Sequence, residues 1–71
     1  MLKKRSINLS GHQTSLALED PFWEVLQAMA ATDAVSLAAA IGRIDEARQG
    51  RPLASACRTA ALAWALERGK A

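Results

Sequence analysis

The sequence predicts a mainly α chain with one short strand per chain, completed by a second copy of itself. Three observations lead there. The stretch His12–Asp20, HQTSLALED, alternates with the period of a half-buried strand: Thr14, Leu16 and Leu18 face one way, and Gln13, Ser15 and Ala17 the other. Two matched apolar stripes follow at i, i+3, i+4, i+7 spacing, first Phe22, Val25, Leu26 and Met29, then Leu37, Ala40, Ile41 and Ile44. Finally, a chain of 71 residues with one cysteine and one histidine has no intrachain disulfide and no ready metal cage. A domain this small buries only about 60% of its unfolded surface, so association is the staple that remains.

The elements can be justified in order. Residues 1–12 form a basic N-terminal arm in which Ile7 and Leu9 alternate before Ser10-Gly11, enough for a possible extra short strand. The main strand runs from Gln13 to Leu18. Asp20-Pro21 then reads as a helix start, with Asp20 as N-cap and Pro21 at the first helical position, where its missing N–H costs nothing. The first helix reaches about Thr32 and carries Trp23 on the flank of its stripe. Asp33-Ala34-Val35 makes a tight turn, and Ser36 caps a second helix that stops near Gly50. Residues 13–50 are therefore the core unit, and residues 51–71 supply a further helix, roughly Leu53 to Arg68. There Leu53, Cys57, Ala60 and Trp64 share one face while Leu62 and Leu66 lie nearly opposite, so this helix is expected to lie between neighbours, one of them from another chain.

Sixteen alanines dilute the 51% hydrophobic content, and three aromatics, Phe22, Trp23 and Trp64, must carry much of the packing. No apolar run approaches the roughly 18 residues of a membrane span, and no signal-peptide core follows the basic start. With an unpaired cysteine, these features place the chain in the cytoplasm, with no membrane partner. Net charge is only +2, but residues 1–18 carry +3, residues 19–50 carry −4 and residues 51–71 carry +3. A polyanionic partner would meet the N-terminal arm first.

A lone strand cannot satisfy its own backbone N–H and C=O groups. The expected partner is the same strand of a second copy, paired antiparallel about a twofold axis, with Thr14, Leu16, Leu18, Phe22, Leu26 and Ile41 in the shared dimer core. The opposite face of that two-stranded ribbon would present Gln13, Ser15 and Ala17 twice, in a shape that fits the DNA major groove.

Ungapped, QTSLALEDPFWEVLQAMAATDAVSLAAAIGRI resembles the ribbon-helix-helix DNA-binding proteins. The basic start KRSINLSGHQTSLALEDPFWEVL, the segment SLAAAIGRIDEAR and the extra helix LASACRTAALAWAL are similar to a bacterial subgroup of them. The resemblance implies an intertwined homodimer with an intermolecular antiparallel two-stranded ribbon and an additional C-terminal helix. By position it implies base contacts from Gln13, Ser15 and Ala17, a DNA phosphate anchored at the start of the second helix by Ser36 and Leu37, and nucleoid association. Lys3, Lys4 and Arg5 would add phosphate contacts. An amide such as Gln13 can pair with adenine, Ser15 offers one adaptable hydrogen bond, and Ala17 only a thymine methyl contact. Exposed helix N–H groups bind anions independently of any family. Where relatives have Gly ending the first helix, this chain has Asp33-Ala34, with the aspartate expected to tolerate the left-handed conformation.

Competing readings are plain ones. The helix stripes are core; Trp23 and Trp64 are packing residues; Cys57 is a buried, inert thiol; and His12 is a turn residue at the start of the strand. Scattered acids with one histidine and one cysteine assemble no acid–base pair, so no catalysis, cofactor or metal is expected. The leading function is sequence-preferring binding of double-stranded DNA in transcription regulation. The alternative is a dimeric interaction or antitoxin-like module that grips a protein partner with its apolar C-terminal helix.

Overall fold

A computed structural model describes residues 1–69, in which two strands precede three helices: β1 (Leu2–Leu9), β2 (His12–Glu19), α1 (Asp20–Thr32), α2 (Leu37–Ala47) and α3 (Leu53–Arg68). The basic arm is thus a full strand, and the chain has two strands where the sequence predicts one with a possible second. β2 takes β1 as its antiparallel neighbour, with Leu9 opposite His12, Ile7 opposite Thr14 and Arg5 opposite Leu16. This intrachain pairing, across a two-residue turn that closes a small loop, occupies one edge of β2; the expected pairing with a second copy concerns the other edge and lies outside a single chain.

The turn explains the register. Ser10 and Gly11 both have positive φ, 52° and 83°, the pattern of a type I′ turn, whose twist matches that of the strands it joins. The Gly11 N–H donates to Asn8 Oδ1 at 3.1 Å, pinning the turn to β1. From this register, Ile7, Leu9, Leu16 and Leu18 face inward and are buried.

Beneath that face lie all three helices, with β1 packed on α2 and β2 packed on α1 and α3. The core joins Ile7, Leu9, Leu16, Leu18, Trp23, Leu26, Ile41, Cys57 and Ala61. Leu16, Leu18, Leu26 and Ile41, assigned from sequence to a dimer core, are thus buried within one chain, whereas Thr14 and Phe22 are half-buried. Burying a leucine or isoleucine contributes roughly 1.5–3 kcal/mol, so Ile7 and Leu9 of β1 add core within the single chain.

Three local expectations are corrected. Asp20 is the first residue of α1 rather than its N-cap; Glu19 holds the cap position in extended conformation with no side-chain capping bond. Its carboxylate is taken by Arg58, while Asp20 faces Lys3 Nζ at 3.6 Å. The α1 stripe is turned toward Trp23, Leu26 and Ala30, leaving Phe22, Val25 and Met29 on its flank. The cause is a polar one: the Trp23 indole N–H donates to the Lys3 carbonyl at 2.9 Å, a partner Phe22 has no means to use.

At the end of α1 the left-handed residue is Ala34 (φ 55°), not Asp33 (φ −88°). The Val35 N–H bonds to the Ala30 carbonyl at 3.0 Å and the Ala34 N–H to the Ala31 carbonyl at 3.1 Å, a Schellman motif with alanine at the glycine position. Asp33 instead pairs with Arg43 at 3.1 Å. Ser36 caps α2 as expected, its Oγ accepting from the Ala39 N–H at 3.0 Å.

After α2, Gln49 (φ 51°) and Gly50 (φ 83°) turn the chain. α3 docks through Ala56, Cys57 and Ala61, small residues that admit close approach. Trp64 is half-exposed, with the Arg68 guanidinium 4.7 Å from its ring centre, and Leu62 and Leu66 are 55% and 60% exposed. Within one chain, then, α3 is buried on one side.

Candidate nucleic-acid interface

The outer face of the hairpin is polar because the inner one takes every large apolar side chain of the strands except the terminal Leu2. On β2 it presents Gln13 and Ser15, both exposed, and half-buried Ala17. These three predicted base contacts do share one face. The pairing register sets Asn8 beside Gln13, Ser6 beside Ser15 and Lys4 beside Ala17, all three exposed. Ser6 and Asn8 complete this face, and the signal for them in the sequence is the two-residue Ser10-Gly11 turn with alternation on both sides, a hairpin signature.

The basic arm divides between the two faces. Only Lys4 shares the outer one. Lys3 lies on the helix side near Asp20, and Arg5 stacks over the Trp23 indole with its guanidinium carbon 5.0 Å from the ring centre. Arg5 is half-buried in this position.

Ser36 and Leu37 stand at the start of α2, where the Ser36 hydroxyl serves one amide and the N–H groups of Leu37 and Ala38 have no intrahelical partner. No hydrogen bond or ion pair among the described residues joins this helix start to the strand face.

Electrostatics at the edge of the site are set by α3. Arg58 donates to both oxygens of Glu19, at 2.9 and 3.4 Å, and this guanidinium, helped by a backbone N–H, holds the Glu19 carboxyl below the usual carboxylate range. The one acid on the outer face of the hairpin is thereby neutralised. The Arg58 guanidinium also lies 6.0 Å from the Phe22 ring centre. Cys57 is fully buried, and burial pushes its thiol up to about 11, with Asp45 adding to the rise.

A sequence model of the ribbon-helix-helix domain matches residues 2–65. The chain belongs to the ribbon-helix-helix family. Its match starts at the first residue of β1 and extends well into α3, so hairpin and third helix both lie inside the family's domain. Ribbon-helix-helix proteins are in general DNA-binding transcription regulators. No characterised protein and no solved structure matches the chain. Among the described residues no single helix is long and apolar enough to cross a membrane.

Proposed function

We propose that this ribbon-helix-helix chain binds double-stranded DNA as a homodimer, laying β2 and its symmetry mate in the major groove to regulate transcription in the bacterial cytoplasm. The observation that carries the reading is the state of β2: one edge is paired to β1, one face is buried, and the opposite face presents Gln13 and Ser15 to solvent. In a type I′ hairpin the residues flanking the turn form a hydrogen-bonded pair, and such pairs alternate along the ladder. The N–H and C=O groups of Gln13, Ser15 and Ala17 therefore point off the outer edge of β2. Among the described residues, no backbone–backbone hydrogen bond outside the hairpin involves residues 2–19. A second copy pairing there gives the strand order β1-β2-β2′-β1′, covers the exposed edge and doubles the reading face.

In this arrangement Gln13 pairs with a purine edge, Ser15 adds an adaptable hydrogen bond, and Ala17 contributes shape. The start of α2 anchors a phosphate on the Leu37 and Ala38 amides. Titrating duplex DNA at several salt concentrations tests the proposal. Affinity should fall steeply as salt rises, and Gln13→Ala should relax preference among duplexes selected from a random pool. Undetectable affinity at low salt, where phosphate contacts are strongest, rules the function out.

A specific feature supports a second reading as an interaction module. Leu62 and Leu66 stand exposed one turn apart on α3, and a separate groove of about 290 Å³ between α2 and α3 is lined by Ile44, Ala47, Ala56 and Ala60 along with Arg43 and Arg51. A protein partner at this helix would bury the two leucines. Leu62→Lys with Leu66→Lys should then abolish partner capture while leaving DNA affinity intact.

A further inference from the structure

The hairpin places a second row of side chains on the outer face, supplied by β1. Lys4, Ser6 and Asn8 lie beside Ala17, Ser15 and Gln13 and are all exposed. Each can present a hydrogen-bond donor. Asn8 is oriented to do so, because its Oδ1 already accepts from the Gly11 N–H at 3.1 Å, which leaves its amide NH₂ for an outside partner. Lys4 has no ion-pair partner among the described residues, in contrast to its neighbour Lys3, which faces Asp20.

Strand spacing decides what this row can reach. In the order β1-β2-β2′-β1′ the outer strands are three spacings of about 4.8 Å apart, roughly 14 Å, whereas the major groove is about 12 Å wide. The central pair fits inside. The outer pair cannot follow it down and must meet the sugar–phosphate walls.

We propose that β1 is a phosphate-gripping strand, with Lys4, Ser6 and Asn8 holding the two walls of the groove that Gln13 and Ser15 read. This rests on the DNA-binding reading above. It also assigns a partner to the weakest position of that reading, since Lys4 flanks Ala17, which offers no hydrogen bond of its own. Contacts of this kind fix position and orientation and carry no sequence information.

The test uses the full chain, a duplex selected from a random pool and a scrambled duplex of equal length, with affinity measured by fluorescence anisotropy across a salt series. Lys4→Ala should weaken both duplexes by the same factor and lower the salt slope by about two for a dimer. Asn8→Ala should weaken both duplexes equally, by roughly tenfold, with less change in slope. Lys3→Ala should leave the slope unchanged. All three side chains are exposed; Asn8→Ala also removes the bond to the Gly11 N–H, so circular dichroism should be used to check that each variant keeps its fold, with Asn8→Asp, which keeps the acceptor and loses the NH₂, as the second variant. The proposal is overturned if Lys4→Ala leaves affinity and slope at the wild-type value, or if Lys4→Ala or Asn8→Ala changes the preference between duplexes, which is the mark of base reading. Wild-type protein that binds neither duplex would overturn the DNA reading itself, and this proposal with it.

Discussion

The indole N–H of Trp23 donates to the backbone carbonyl of Lys3 at 2.9 Å, tying α1 to β1 across twenty positions of sequence. With Arg5 stacked on the same ring at 5.0 Å, the tryptophan locks the open end of the hairpin onto the helices. Trp23→Phe should cost about 2 kcal/mol through the lost bond and lost volume, and Trp23→Ala about 3–5 kcal/mol, enough to threaten the fold. Urea unfolding monitored by circular dichroism measures both. A wild-type midpoint for Trp23→Phe would show that the bond does not hold the hairpin. Emission provides a second check: Trp64→Phe should leave a blue-shifted, buried signal, and Trp23→Phe a red-shifted one.

Ala34 sits at φ 55° in a motif that favours glycine. A left-handed alanine costs roughly 1–2 kcal/mol, partly offset by the entropy that glycine loses on folding. Ala34→Gly should therefore stabilise the protein by about 1 kcal/mol, raising Tm by about 4–8 °C. A lowered Tm would refute the Schellman geometry.

The Glu19–Arg58 pair makes stability depend on pH in one direction. Because the folded-state pKa of Glu19 is lowered, chiefly by Arg58, its contribution is fully present above the ordinary carboxylate value and is lost as pH falls through the folded value. Arg58→Met should lower Tm at pH 7, and its deficit against wild type should shrink toward pH 3. A deficit constant with pH would assign Arg58 to packing on Phe22 alone.

The strands show what can be read from the sequence and what cannot. Alternation sorted Gln13, Ser15 and Ala17 from Thr14, Leu16 and Leu18 because β2 is half-buried along its length. The same test is weaker on β1, where Lys3 and Arg5 occupy inward positions and only Ile7 and Leu9 are buried; a long basic side chain lying over an indole reads as polar although its face is inward. Phe22 and Trp23 posed a different difficulty. Both fit an apolar stripe, and the choice between them is made by a carbonyl on a remote strand, which periodicity does not register. In α2 the Ser36 cap is legible because its bond is local, and the burial of Ala40 and Ile41 because both lie on one periodic stripe. On α3, alanine and cysteine take the core while Trp64 and two leucines stay outside, inverting the usual order of size, since a helix packed under a hairpin needs close approach more than bulk.

Cys57 is expected to resist modification. With its thiol pushed up to about 11 and fully buried, it is protonated at neutral pH, and a thiol reagent at pH 8 should react only at the rate of opening. Because the pKa is raised, its contribution to stability is complete below the ordinary thiol value and is lost as pH climbs toward 11. Cys57→Ser, which buries a hydroxyl, should cost about 1–3 kcal/mol. Rapid stoichiometric labelling of native protein would place the thiol at the surface.

The short Ser10-Gly11 turn also bears on gene dosage. A strand that depends on another molecule leaves each newly made chain unfinished until it collides with a copy, and exposes it to proteases meanwhile. Here β2 has its ladder partner within the same chain, across a two-residue turn, and Leu16 and Leu18 are buried without a second copy. In the homodimeric DNA-binding reading proposed above, occupancy of a target follows the dimerisation equilibrium of chains already paired within themselves, rising roughly with the square of their number when monomers predominate. On that reading, small changes in synthesis shift occupancy steeply.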